Sequence, residues 1–415
     1  MPRPRKILHV LNSAGGGAAL STLGLIERLA AEGVGACAVC HEGGTKEERE
    51  QLRNAVDGDV VFTPLYWWNR KIRMPLWKRP LSEARQIWKT GWSLGSTARV
   101  LHAVENWKAD LIHTNTLLTP EGGLAARRLG LPHVWHLREL VGPGNPFRFW
   151  REGPSLGRYI AGHCAKLVAN SEISARQVRD WLPEGVLEVV PNGIDVARFK
   201  PRSTPAQNGR LVIAMVGNLT SRTKKHSLFI EAASRVDRSL SIQWRIYGHD
   251  PSRGGTVQAD SYIDALHAQI GHSGLSDSFY WPGFVSDPAE IMSQIDLLVH
   301  PADNESFGRV VVEAMAASLP VVGVNGGGVA EIILPGVTGL VAQKDHPQDL
   351  ADCIQQLARD PRRSRAMGEA GRKRAEAHYS LAACTAGMLR VYGQAMARMP
   401  GPSINEASLG ARTTL

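Results

Sequence analysis

No stretch of this chain stays apolar for the roughly 18 to 20 positions that a bilayer-crossing helix requires. Cysteine is scarce, five in 415 residues, and without regular spacing, so no disulfide framework is expected and a reducing, cytoplasmic setting fits. Cys37 and Cys40 have redox or zinc spacing. No second pair completes it, and strand alternation sends the two thiols to opposite faces, so buried structural thiols are expected. Acidic residues are outnumbered, 39 Asp and Glu against 48 Lys and Arg, and the net charge of +9 calls for an anionic partner without naming it. The start, "MPRPRKILHVLNSAGGG", is basic and then apolar. Its apolar stretch is short and runs into a glycine turn, so it reads as a first strand and not a secretion signal. That turn lacks the third glycine of a dinucleotide-binding fingerprint, because Leu20 stands where it would fall.

The length asks for two domains. Short apolar runs ("KILHVL", "ACAVC", "DVVF", "ADLIHTN", "HVWHLR", "KLVANS", "LEVVPNG") alternate with helical stretches or turns. That alternation predicts a parallel sheet covered on both faces. The composition turns to Pro, Ser, Asn and Gly at "PRSTPAQNGR", a linker over 201–210, after which the pattern restarts with "LVIAMVGN". The expected organisation is one Rossmann-like domain over 1–200, a second over 211–382, a helix over 383–399 packing back toward the first domain, and a disordered tail over 400–415. Open α/β sheets bind ligands beyond the carboxyl ends of their strands, so two such domains face each other across a cleft. The Gly15–Gly17 and Gly326–Gly328 turns are expected to meet there.

Between Tyr66 and Trp107 lie eight Lys or Arg, two Glu and six of the eleven tryptophans. Basic residues interleaved with Trp suit a membrane-surface patch; a helix pair with its Trp face turned inward suits the same composition. Nucleic acid is not expected as a partner.

The segment "HPADNESFGRVVVEAMAASLPVVGVNGGGVAEII" (300–333) carries two glutamates eight positions apart and two places where bare backbone is exposed. Glu305 falls in a strand-to-helix loop and Glu313 on the helix that follows. The amides of Ser306, Phe307 and Gly308 lie at that helix's N-terminus, where free N–H groups favour anions. Gly327 and Gly328 allow a ligand to approach the backbone closely. Two amide clusters and two separated carboxylates fit a nucleotide-diphosphate sugar. A glycosidase pair sits about 5 to 9.5 Å apart, whereas eight helical residues separate backbones by roughly 12 Å, which disfavours that reading.

The pattern "ESFGRVVVE", followed by "AMAASLPVV" and "GGGVAEI", resembles the donor-site signature of the glycosyltransferase family 4 enzymes, which have the two-domain GT-B fold. "VPNGID", "ANSE", "WPGF", "DLIHTN" and "HVWHLREL" resemble further family segments, in order, over about 380 residues. The resemblance implies that Glu305 contacts hexose hydroxyls, Glu313 ribose hydroxyls, and that His136 lies near the reacting carbon. It also implies that Gly16 and Gly17 line the phosphate or acceptor approach, that Phe284 ends the base-binding strand, and that Lys224 binds the diphosphate. Where the family usually has an Arg, this chain has Asn218; either Arg222 or Lys225 supplies the missing charge, or the diphosphate is bound more weakly. The implied activity is retaining hexosyl transfer from a nucleotide sugar to a cell-envelope glycan or lipid-linked acceptor, with no metal and no cofactor. The first domain would bind the acceptor and the second the donor. The alternatives from other classes are a dinucleotide-binding oxidoreductase, with Glu42 on a ribose, and a noncatalytic sugar-binding protein. "DGD" at 57–59 reads as a polar turn and His133 as structural, while His113 is open to either a structural or a catalytic reading.

Overall fold

The computed structural model describes residues 2–71, 79–142, 147–149, 151–201, 209–219, 221–248 and 261–398. The first half contributes β1 (Lys6–Leu11), β2 (Gly35–His41), β3 (Val60–Thr63), β4 (Asn69–Lys71), β5 (Leu111–Thr114), β6 (His133–Leu137), β7 (Phe147–Phe149), β8 (Lys166–Ala169) and β9 (Leu187–Val189). Seven of these form one parallel sheet in the order β3-β2-β1-β5-β6-β8-β9, while β4 and β7 pair antiparallel beside it. The second half contributes β10 (Leu211–Val216), β11 (Ile242–Tyr247), β12 (Phe279–Gly283), β13 (Leu297–His300), β14 (Val321–Val324) and β15 (Leu340–Ala342), in the order β12-β11-β10-β13-β14-β15. Counted from its own first strand, this second sheet has the doubly wound order 3-2-1-4-5-6.

The strands are short and apolar because both faces are covered. Val10 and Val39 sit in register with no exposure, and every residue of β5, β8, β13 and β14 is buried. In each sheet the strand order reverses beside the first strand, between β1 and β5 and between β10 and β13. The loops leaving β1, β10 and β13 span 12–15, 217–225 and 301–308, with residue 220 outside the described residues.

The helix Leu381–Ala397 leaves the second half of the chain and packs on the first sheet. Its Met388, Val391, Tyr392 and Ala395 are fully buried against Ile7, Leu25, Leu29, Leu111 and Val134. Arg372 ties the preceding helix (Pro361–His378) to the carbonyl oxygens of Phe199 and Ala316. The linker stretch 202–208 and the tail 399–415 lie outside the described residues.

Among the described residues of the Trp-rich stretch, Asn69–Lys71 is a short strand and Arg79–Trp107 one long helix. Trp68 packs against Trp135, Phe149 and Tyr159, and Trp107 lies under Lys6 and against Gly58, so these two are structural. Trp67 is 40% exposed. The side chains of 69–92, with Trp77, Trp88 and Trp92, lie outside the described residues. No helix among the described residues is long and apolar enough to cross a membrane.

Met388 tests the return helix. Met388→Ala is expected to lower the unfolding free energy by about 2–5 kcal/mol, read by urea denaturation; no change would mean that the helix is not held by this contact.

Candidate active site

A cleft of about 980 Å³ opens between the two sheets. Its first-domain wall includes Gly15, Gly16, Gly17, Leu20, Glu47 and Glu48, and its second-domain wall includes Asn218, Lys224, Phe284 and the run Asn304–Val310 with Glu313.

Lys224 ends a 3-10 turn, Arg222–Lys224, that leaves β10. Its Nζ forms an ion pair with Glu305 Oε1, on the loop leaving β13. His300 Nε2 lies 3.4 Å from the other oxygen, Oε2. Burial alone would raise the Glu305 pKa; His300 and Lys224 more than offset it and hold the carboxyl below the usual carboxylate range. Glu305 is therefore an anion throughout the physiological range.

The same loop ends at Gly308, whose φ of +95° no β-branched residue would tolerate, and which caps the helix Arg309–Ala316. Arg309 Nε donates to Glu313 Oε1 at 2.7 Å, one helical turn on. Burial raises the Glu313 pKa and Arg309 counters it. Arg309 Nη1 also crosses the cleft to Ser21 Oγ at 2.9 Å.

The glycine triplet works differently from the sequence expectation. Gly327 and Gly328 do not line the cleft and do not face Gly15–Gly17; they lie behind the Glu305 loop. A Cβ on Gly327 would stand 2.5 Å from the Glu305 carbonyl oxygen, and one on Gly328 would stand 2.5 Å from that of Ser306. The Gly328 amide donates to the Glu305 carbonyl at 2.8 Å. Bare backbone here admits another loop, not a ligand. Three residues on, the Glu331 carboxylate accepts the amides of Glu172 and Ile173, opening the helix Glu172–Arg176 of the other domain. Asn170 Nδ2 donates to Ser306 Oγ at 3.3 Å.

His136 does not reach the cleft lining. It is 2% exposed, stacks on His113 at 5.5 Å, and passes through His113 to the Tyr392 hydroxyl, which lies 2.8 Å from His113 Nδ1. Burial lowers the pKa of both imidazoles well below the usual value, so both are neutral. The reason is positional: β6 ends at Leu137, and the residues that emerge from its carboxyl end into the cleft are Arg138, Glu139 and Leu140. His133 is structural as expected, bonded to Thr114 Oγ1 and the His163 carbonyl.

Neither cation expected to replace the arginine at 218 reaches the cleft wall. Arg222 lies 4.8 Å over the Tyr262 ring. Lys225 is held by Asp303 and Asp345, and Lys344 shares Asp303. Phe284 stands 70% exposed at the cleft edge, while Phe307 is 5% exposed and packs beside Tyr379. Cys37 and Cys40 are buried, and burial pushes both thiols up to about 12. Asp57 accepts the Ala36 amide, as a structural turn does. Sequence reasoning missed Arg138, Arg309, Asn170 and Glu331; of these only Arg309 carries a local signal, its four-residue spacing from Glu313.

Two doubly wound parallel sheets facing across a cleft, with the last helix returning to the first, constitute the GT-B architecture of glycosyltransferases. The chain belongs to glycosyltransferase family 4: the model "Glycosyltransferase Family 4" matches residues 15–198 and "Glycosyl transferases group 1" matches 196–374. The D-inositol 3-phosphate glycosyltransferase of Saccharomonospora viridis is 28% identical over 318 residues, 72% of this chain and 73% of that one. That of Geodermatophilus obscurus is 30% identical over 265 residues, 59% and 58% of the two chains. Among solved structures, Anabaena Alr3699/HepE in complex with UDP and glucose matches with TM-score 0.72 at 21% identity, covering 94% of this chain and 99% of that one. A glycosyltransferase from Rickettsia africae matches with TM-score 0.74 at 18% identity, covering 94% and 98%. The chain is thus a transferase, and the dinucleotide-binding alternative falls.

The ion pair makes a pH prediction. A carboxyl with a lowered folded pKa contributes stability above its unfolded value, near 4.3, and loses it as pH falls through the folded value. Lys224→Met is therefore expected to melt below the wild type at pH 7, with the gap closing as pH falls below about 4. A gap that stays constant from pH 7 to pH 3 would show that the two groups are not coupled.

Proposed function

We propose that the protein is a retaining hexosyltransferase that takes its sugar from a nucleotide-diphosphate donor and passes it to a cell-envelope glycan or lipid-linked acceptor. The observation that carries this is the Glu305 carboxylate, held below the usual carboxylate range and paired with Lys224 on the loop that leads into a helix bordering the cleft. Glu305 accepts the hexose hydroxyls and Glu313 the ribose hydroxyls, while Phe284 flanks the base. Lys224 and the amides of Ser306, Phe307 and Gly308 take the phosphates. The HepE structure holds UDP and glucose, and the curated relatives are named for a sugar transfer to inositol 3-phosphate; both support a sugar donor.

The transfer follows a front-face course. The bond from the anomeric carbon to the phosphate oxygen breaks as the acceptor oxygen bonds to the same face. The acceptor proton passes to the departing phosphate, so neither a carboxylate nucleophile nor a metal is needed. Lys224 and the amides stabilise the charge that grows on the leaving group. The two walls supply orientation and exclude water.

The test is a thermal-shift panel of UDP-, GDP- and ADP-sugars with NAD as control, followed by turnover. One donor is expected to raise Tm, and Glu305→Gln and Lys224→Ala to reduce kcat/KM at least 100-fold with the fold intact. Normal turnover in either variant would remove the site assignment, and donor binding without transfer or hydrolysis would make the protein a noncatalytic sugar binder. The setting proposed is the inner face of the cytoplasmic membrane, reached through the basic Trp-rich segment 66–107. Flotation with anionic liposomes at low salt is expected to carry the protein upward; a pellet under the same conditions would end the membrane proposal.

A further inference from the structure

A buried cation needs a partner, and among the described residues no carboxylate is hydrogen-bonded to Arg138; Glu139 favours its charge only through space. It is 8% exposed and lines the cleft immediately beyond β6. Its guanidinium donates to Asn192 Oδ1 and lies 3.5 Å from Thr22 Oγ1, both neutral, and its Nε is buried with no acceptor. The nearest acid in sequence, Glu139, spends its hydrogen bonds elsewhere: its carboxylate accepts Thr116 Oγ1 and the amides of Leu117 and Arg138. Burial pulls the Arg138 pKa down to about 10, which leaves the group charged at neutral pH. Stranding a guanidinium from water without a hydrogen-bonded counter-ion costs several kcal/mol. Such a cost persists where function requires it.

The position of Arg138 says what completes it. Arg138 and Arg309 reach adjacent residues of the first helix (Gly16–Ala31), Thr22 and Ser21, from opposite domains. Arg309 is the first residue after Gly308, whose amide, with those of Ser306 and Phe307, leads into the helix Arg309–Ala316. Those amides, Lys224 and Arg138 all border one cleft.

We propose that Arg138 is a phosphate ligand of the donor diphosphate, supplying from the first domain the positive charge that Asn218 does not supply from the second. The proposal rests on the nucleotide-sugar reading above. It gives the cleft a cation on each wall, so that a bound diphosphate bridges the domains and draws them together. Arginine suits this role, because its planar fork can hold two phosphate oxygens at once.

The experiment is calorimetric titration of the wild type, Arg138→Gln and Arg138→Lys with UDP, GDP and ADP and with the matching nucleosides. For whichever diphosphate binds the wild type, Arg138→Gln is expected to weaken it 10- to 100-fold and to leave the nucleoside affinity unchanged. Arg138→Lys is expected to fall between. The ligand-free Tm of Arg138→Gln is expected to equal or exceed that of the wild type, since a buried charge is removed. Equal diphosphate affinity in wild type and Arg138→Gln, or equal losses for diphosphate and nucleoside, would overturn the proposal. Should Arg138→Gln fail to fold, Arg138→Lys decides by the same comparison. A wild type that binds none of the three diphosphates would instead overturn the nucleotide-sugar reading itself.

Discussion

The site depends on the contact between Lys224 and Glu305. It joins the loops leaving β10 and β13, the two strands at which the second sheet reverses its order. Without it the loop 301–308 would carry a half-buried carboxylate with only His300 beside it. With it, one wall of the cleft presents an anion, a cation and a helix N-terminus in fixed relation. Hydroxyls and phosphates of one ligand can then be held simultaneously, which is what transfer of an activated sugar requires.

That wall is also where the domains meet. Ser306 receives Asn170, Arg309 reaches Ser21, and Glu331 caps the helix Glu172–Arg176. The Gly326–Gly328 turn stands between, its backbone against the Glu305 loop on one side and Glu331 on the other. A movement of the first domain would therefore pull on the same short segments that hold the ligand groups. Under the proposed function, closure and donor binding would share these contacts, and each would favour the other.

Much of this was legible in the sequence. Both sheets follow from apolar runs of four to six residues at regular intervals, because a parallel strand buried on both faces has no polar positions to conceal it. The Glu305–Glu313 spacing and the amides before Arg309 were visible for a similar reason: they are local, and one helix turn fixes them. What was not legible depends on long-range packing. His136 looked exposed to chemistry, yet the strand ends one residue later, and His113, itself bonded to Tyr392 of the terminal helix some 250 positions away, stacks on it. Gly327 and Gly328 looked like a ligand cradle; the body they admit is the Glu305 loop. Arg138 gave no local signal, since its burial depends on Asn192 and Thr22 from distant parts of the chain.

The most direct measurement is a crystal structure of the protein with its preferred nucleotide sugar bound. The expected result is a hexose within hydrogen-bond reach of Glu305, with the diphosphate between Lys224 and the amides of Ser306, Phe307 and Gly308. A donor lodged elsewhere, or a cleft that stays empty at saturating concentration while transfer proceeds, would contradict the central role given to this pair.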